Sequence, residues 1–157
     1  SHGEYTLPLE HPTTPVWHEM DHSKRGVIHS CDLDFTVEFT DLNDGVKLHI
    51  TTSGTDDVPF KLEYVISPNC RVETPDVVTE ATAGNQITVK HGQIRLEHPN
   101  GEELYIDGTF ASHLYHTNMR GSVPQAKDCF TIYSTDDSPI DRTVEIHFKK
   151  RESVHEL

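Results

Sequence analysis

The sequence is short of apolar residues, positive charges and long hydrophobic runs, and each shortage excludes a class of protein. Of its 157 residues 34% are hydrophobic, and 13 lysines and arginines stand against 26 aspartates and glutamates, which gives a net charge of −13. This charge disfavours nucleic acid and anionic membrane surfaces as partners. No stretch is long enough for a transmembrane helix. Neither nucleic acid nor a membrane is therefore expected as a partner.

Cysteines are also few, and their number excludes a disulfide framework. Three cannot all pair within one chain, and no CxxC motif is present. Cys31, Cys70 and Cys129 lie in or beside apolar strand patterns, so buried free thiols are expected. The chain opens with SHG, which is typical of a tag remnant at residues 1–2. No signal peptide is visible, and the pattern leaves the compartment, cytoplasmic or extracytoplasmic, open.

What the sequence does contain is a series of short segments in which apolar and polar residues alternate. This period of two is typical of strands with one buried face. The segments predict an all-β fold, an antiparallel β-sandwich of jelly-roll type, without a long helix. They are LDFTVEFT (33–40), VKLHITT (46–52), PFKLEYVI (59–66), QITVK (86–90), QIRLEH (93–98), ELYID (103–107), CFTIYST (129–135) and TVEIHFKK (143–150).

The alternation also predicts the organisation of the chain and its core. We expect an extended, proline-rich arm over 1–30, in which Trp17 is the anchor, the sandwich over 31–150 and a tail over 151–157. Phe39→Ala should then cost about 3–5 kcal/mol, as for a fully buried phenylalanine. The predicted core residues are Phe35, Val37, Phe39, Leu48, Ile50, Leu62, Tyr64, Ile94, Leu96, Ile132, Ile146 and Phe148.

Histidines and carboxylates are concentrated in the arm, and mixed ligands of this kind suit a divalent metal such as zinc or calcium. The candidate metal ligands are His18, His22 and His29. The spacing of the first two would place both on one face of a helix, although the prolines upstream disfavour a helix here. The alternative interpretation is that these are ordinary solvated histidines, since no fixed metal motif is present.

The stretch GTFASHLYHTNMRGS (108–122) supplies the other candidates, His113, Tyr115, His116 and Arg120, which together with Trp17 form the predicted ligand-binding set. In a strand, His113 and His116 point to opposite faces and cannot share a metal. Arg120 is expected to pair with a carboxylate, of a neighbouring loop or of a ligand. The glycine that follows it favours a sharp reversal of the chain.

No catalytic residue is assigned from motifs. The sequence lacks GxSxG, HExxH, CxxC and a glycine-rich phosphate loop. Carboxylate pairs do occur at Asp56-Asp57 and Asp136-Asp137, but both lie in predicted turns, where acidic residues are common for conformational reasons.

Three segments follow one another in a familiar order: DVPFKLEYVISPNCRVE, KHGQIRLEHPNGEELYID and FASHLYHTNMRGSVPQAKDCFTIYSTDDSPIDRTVEIHF. The points of contact are Pro59, His113 with Tyr115, Arg120-Gly121, and Thr135 with Pro139. In this pattern, residues 57–148 resemble the C-terminal β-sandwich domain of heparinase II/III-type polysaccharide lyases. In such proteins the sandwich follows an α/α toroid, and many members cleave acidic polysaccharides by β-elimination.

The resemblance implies a function without catalysis for this chain. The toroid carries most of the lyase machinery and has no counterpart here, although the sheet domain of such enzymes can contribute a histidine, at His113 or His116. An accessory sandwich that supports or binds an acidic glycan is therefore expected, with a polysaccharide or a toroid catalytic domain as partner. The alternative is a small histidine-rich, metal-binding protein of jelly-roll or cupin-like type.

Overall fold

The computed structural model describes residues 3–5, 14–23, 26–30, 32–114 and 126–149. In this part of the chain the secondary structure consists of β-strands, numbered here in chain order, and one short 3-10 helix. An α-helix is absent from the described residues, and none of their helical segments is long and apolar enough to cross a membrane. The all-β prediction is therefore confirmed.

The chain divides into two compact units, Ser1–Leu33 and Asp34–Leu157. In the first unit, strand β1 (Gly3–Tyr5) pairs antiparallel with β2 (Val27–Ser30). The 3-10 helix, Trp17–Glu19, lies between them in the chain. The arm that the sequence predicts to be extended thus contains a strand pair and a helical turn.

Seven strands form one antiparallel sheet, the large sheet. Three of its neighbouring pairs are strands that follow one another directly in the chain, and the other three join strands that are distant in the chain. The strands are, in spatial order, β3 (Leu33–Leu42), β4 (Gly45–Gly54), β12 (Asp141–Lys149), β10 (Glu103–Asp107), β9 (Ile94–Glu97), β6 (Arg71–Glu73) and β7 (Val78–Glu80).

Three strands form the small sheet, in the order β5 (Pro59–Ile66), β11 (Phe130–Asp137) and β8 (Gln86–Thr88). β11 pairs antiparallel with β5 but parallel with β8. The expectation of an antiparallel sandwich is therefore correct except at this pair. A parallel neighbour needs a long crossover connection. Here the chain between β8 and β11 forms two strands of the large sheet, β9 and β10.

The two sheets pack face to face around an apolar core. It is built from the inward residues of both sheets and from the connections between them: Cys70, Val72, Ala81, Val89, Ile94, Leu96, Ile106, Phe110, Phe130, Ile132 and Val144. Of the predicted core, Ile50, Ile94, Leu96 and Ile132 are buried, and Leu62, Tyr64 and Ile146 pack against it. Val37 and Leu48 are half-buried.

Three predicted core residues are not buried, and the prediction is wrong for them. Phe35, Phe39 and Phe148 are 48%, 70% and 57% exposed. Their face of the sheet is as expected, because Phe39 shares the alternation of the half-buried Val37. The small sheet covers only part of this face. β5 reaches Phe35, whose ring lies 5.3 Å from that of Phe60, but Phe39 further along β3 and Phe148 near the end of β12 are left uncovered.

Two of the three cysteines lie in the described part of the chain, and both are free. Cys70 is buried in the core, where burial raises the pKa of its thiol. Cys129 is half-buried. The expectation of buried free thiols is confirmed for Cys70 and holds in part for Cys129, while Cys31 lies outside the described residues.

Candidate functional site

The GTFASHLYHTNMRGS stretch begins as a partner of β11. Ala111 forms a parallel bridge with Thr135, and the Ser112 amide donates to the Thr135 carbonyl at 2.9 Å. This places the Ser112 hydroxyl 2.9 Å from Oδ1 of Asp136, to which it donates. The first part of the stretch is thus fixed along the end of a buried strand.

Asp136 is the centre of a polar cluster, which we call the Asp136 cluster: Ser112, His113, Asp136 and Arg142. Nε of Arg142 donates to Oδ2 of Asp136 at 2.8 Å. Burial alone would raise the pKa of Asp136, but the hydrogen bonds from Arg142, Ser112 and the Asp137 amide outweigh it and lower the pKa. The guanidinium also lies over the Phe110 ring, 4.9 Å from its centroid. Asp136 and Asp137 belong to β11, so the prediction of a turn there is wrong.

His113 is the histidine of this cluster. Its side chain is 6% exposed, and Nε2 donates to the Asp136 carbonyl at 3.0 Å. Its own carbonyl accepts from the Thr135 hydroxyl at 2.5 Å. A ring held in this way joins the stretch to β11, and the role of His113 as a ligand-binding candidate remains a prediction.

The other candidates of this stretch, Tyr115, His116 and Arg120, lie outside the described residues, and their predicted roles remain predictions. The arginine–carboxylate pair that the structure does place beside this stretch is Arg142 with Asp136.

In the arm, Trp17 and His22 form a local pair. Nε2 of His22 donates to the Trp17 carbonyl at 2.7 Å, and the two rings lie 4.8 Å apart. Trp17 is 51% exposed, and its role as anchor remains a prediction. No group of three potential metal ligands occurs among the described residues, which include His18 and His22. The side chain of His29 is outside what the structure describes.

Two further histidines each bridge two carboxylates on the outer face of the large sheet. The ring of His49 lies 3.3 Å from Glu38 and 2.7 Å from Asp141. His147 lies 3.0 Å from both Asp44 and Glu145. These contacts favour the charged imidazolium and raise both pKa values, through Asp141 and then Glu38 for His49 and through Asp44 and then Glu145 for His147.

The same face carries a second network around Arg95. Its guanidinium donates to three carboxylates from three strands, at 2.5 to 2.9 Å: Glu73, Glu97 and Glu103. The Tyr105 hydroxyl donates to Glu103 as well. The hydrogen bonds from Arg95 and Tyr105 lower the pKa of Glu103. Arg95 is thus already neutralised and is not available to an acidic ligand.

An apolar cleft opens between the two sheets where β5 faces β10 and β12. Its volume is about 450 Å³. On the small sheet, Tyr64 and Ile66 line it, and on the large sheet Leu104, Ile146 and Phe148. Burial raises the pKa of Tyr64 to about 12, which fits its apolar surroundings. We call this feature the apolar cleft.

Sequence analysis missed most of these groups for an identifiable reason. Each network joins strands that are distant in the chain, as with His49 and Asp141, so local spacing contains no signal for it. For the apolar cleft a signal was present, because Ile146 and Phe148 are alternating apolar positions. What the alternation does not reveal is where the opposite sheet ends.

Comparison of the chain with family models, curated proteins and solved structures finds no match to any of them.

Proposed function

We propose that the chain is a non-catalytic accessory β-sandwich of a carbohydrate-active protein, of the heparinase II/III type, and that it supports a toroid catalytic domain through the apolar cleft. The observation that carries this proposal is the cleft itself, an apolar opening whose rim residue Phe148 is 57% exposed. Exposed apolar surface of this kind is a common mark of protein contact sites.

Support of a partner domain is favoured over direct capture of an acidic glycan. The net charge of −13 repels such a ligand. Two arginines of the outer face are already engaged, Arg95 by three carboxylates and Arg71 by Glu73 at 3.0 Å. An acidic sugar would have to displace these pairs, so weak retention on a heparin column is expected.

The absence of catalysis is tested with the isolated chain. β-Elimination leaves an unsaturated sugar that absorbs in the ultraviolet. With heparan sulfate, alginate or pectin as substrate, we expect no rise in this absorbance. A steady rise that scales with protein concentration would show that the chain is itself a lyase.

The supporting role is tested with the toroid domain encoded in the same gene or operon. The two proteins should form a complex in size-exclusion chromatography, and Phe148→Asp should abolish it, because a charge would enter an apolar contact. Val78→Asp is the matched control, since Val78 is 62% exposed on β7, an edge strand of the same sheet that does not line the cleft. If no toroid is encoded there, or if Phe148→Asp leaves the complex intact, the proposal fails.

A further inference from the structure

Strand β3 forms one edge of the large sheet, and within the described residues no strand pairs with the side of β3 that points away from β4. It is ten residues long, and it contains no proline, glycine, lysine or arginine. These residue types, together with short length, are the usual means by which edge strands avoid pairing with other chains. β3 is therefore a long edge that has only acidic charges to limit its pairing.

The other sheet edges in the described part of the chain differ from β3. β7 and β8 have three residues each. β5 begins at Pro59 and carries the Lys61–Glu63 ion pair. Short strands, proline and lysine are recognised protective features. The contrast indicates that β3 is exposed for a reason that the other edges do not share.

β3 also exposes apolar side chains on its core-facing side. Leu33, Phe35 and Phe39 are 37%, 48% and 70% exposed. An edge that offers both unpaired backbone groups and adjacent apolar surface is suited to strand addition, because pairing satisfies the former and buries the latter.

The hydrogen-bond pattern of the sheet determines which residues of β3 can pair. The Phe148 amide donates to the Asp44 carbonyl at 2.6 Å, and the Thr52 amide to the Ile140 carbonyl at 3.0 Å. Even-numbered residues of β4 thus bond to β12, and odd-numbered residues bond to β3, since the two sides of a strand alternate. Across the two-residue turn at 43–44, the even-numbered residues of β3 bond to β4. Its odd-numbered residues direct their N–H and C=O groups to the free edge.

We propose that β3 pairs antiparallel with β3 of a second copy of the chain, about a two-fold axis at Val37. This register places odd residues opposite odd residues, as the hydrogen-bond pattern requires. On the core-facing side it sets Phe35 opposite Phe39 of the second copy, and aromatic cross-strand pairs stabilise sheets. The inference is independent of the proposed function, because it uses the edge strand and not the apolar cleft.

The acidic residues of β3 select this register among its neighbours. An axis at Val37 sets Glu38 opposite Thr36 and Asp34 opposite Thr40. Moving the axis one residue back sets Asp34 against Glu38, and moving it one residue forward sets Glu38 against itself. Like charges directly opposite each other destabilise a sheet. The register centred on Val37 therefore gives the longest overlap without such a pair.

Thr36 provides a test that reads the register. Thr36 is exposed on the outer face, so substitutions there should leave the protomer folded. Thr36→Lys should tighten the dimer and Thr36→Glu should weaken it, each by about two- to thirtyfold for the two symmetric charge pairs. The dimer constant is measured by sedimentation velocity across a wide range of protein concentration. If Thr36→Lys weakens the dimer as Thr36→Glu does, the register is wrong.

A second pair of variants tests the surface itself. Phe39→Ser should weaken the dimer by about tenfold or more, as expected for an aromatic anchor of an interface. Val78→Ser, at the opposite edge of the sheet, should leave it unchanged. Hydrogen exchange on the full chain completes the test. The proposal is wrong if the chain is monomeric at every concentration, whether or not the odd-numbered amides of β3 are protected. Protection of these amides in a monomer would show that another segment of the chain covers the edge.

Discussion

Residue 45 must be a glycine because there is no room for a side chain, and not because of its backbone conformation. The pair Asp44-Gly45 is a sequence typical of a turn, but the turn residues are 43–44 and Gly45 is the first residue of β4. The φ angle of Gly45 is not positive. A Cβ at this position would overlap the backbone carbonyl of Ile146 on β12. The glycine therefore allows two strands to approach closely.

Gly45→Ala should lower the free energy of unfolding by about 1–3 kcal/mol, because the added methyl group forces the strands apart. Gly84 serves as the comparison: its φ is +79°, but the nearest atom to an added Cβ is at an ordinary 3.5 Å. Gly84→Ala should cost about 1–2 kcal/mol, from the left-handed backbone alone. Urea denaturation of both variants gives the two values. A neutral Gly45→Ala would contradict the close approach.

His49 and His147 should make stability depend on pH in a defined direction. Both pKa values are raised above the ordinary 6.5 by carboxylates. A group whose pKa is higher in the folded state contributes stability that is complete below the unfolded value and is lost as the pH rises through the folded value. The melting temperature should therefore fall as the pH rises from 6.5.

The double substitution His49→Gln, His147→Gln should flatten this part of the pH profile. His98→Gln is the control, since the described contact of its ring is a hydrogen bond from the Asn100 amide in its own turn. The measurement is the melting temperature between pH 6 and 8. An unchanged slope in the double variant would show that the bridges do not contribute.

Among the elements, β11 shows best what sequence alone can establish. Its alternation predicts a strand at 129–135, and the structure has Phe130–Asp137 with six fully buried residues at its start. Alternation implies one covered face, but Thr131, Tyr133 and Thr135 are at most 1% exposed, as are Ile132 and Ser134. Burial on both faces depends on segments from elsewhere in the chain, and no local pattern contains that information.

The Asp136 cluster at the end of β11 should be important for stability. Asp136→Asn removes the charge that accepts from Arg142, Ser112 and the Asp137 amide, and hydrogen bonds to charged groups contribute about 1.5–3 kcal/mol. Because Arg142 is 43% exposed, solvent screening reduces its share, and a loss of about 1–2 kcal/mol is expected. Thermal or urea unfolding provides the measurement.

Ser112→Ala is the matched control for this cluster. It removes one neutral donor and should cost about 0.5–1.5 kcal/mol. If Asp136→Asn costs less than Ser112→Ala, the carboxylate is not the centre of the cluster.

For the whole molecule, the part of the large sheet that the small sheet covers decides which apolar residues are core. Sequence patterning assigns Phe39 and Ile132 to the same class, since both are apolar positions in alternating segments. Ile132 is fully buried beneath the large sheet, whereas Phe39 lies beyond the reach of the small one. Which residues of one sheet face the other depends on long-range pairing and packing, so the alternation could predict the strands and their faces but not their coverage.

The two residues should therefore respond differently to truncation. Ile132→Ala should cost about 2–5 kcal/mol, as a large-to-small substitution in a packed core. Phe39→Ala should change the stability of the monomer by no more than about 0.5 kcal/mol, as on a surface. Urea denaturation at protein concentrations where the chain is monomeric gives both values. A large loss for Phe39→Ala under these conditions would restore the original prediction of a buried side chain.

The order of strands has a consequence for how the protein acquires its structure during synthesis. The middle strand of the small sheet, β11, and a central strand of the large sheet, β12, are the last two strands of the described chain. Their partners β5 and β4 are made 64 and 98 residues earlier, counted at the Phe130–Ile66 and Glu145–Lys47 pairs. On the ribosome, the small sheet cannot close until residue 137 has left the exit tunnel, and the large sheet cannot close until residue 149 has left it. Until then β5 lacks its partner β11 and β4 lacks its partner β12, and the apolar faces of these strands stay uncovered. A chaperone that binds exposed apolar segments would find its target there.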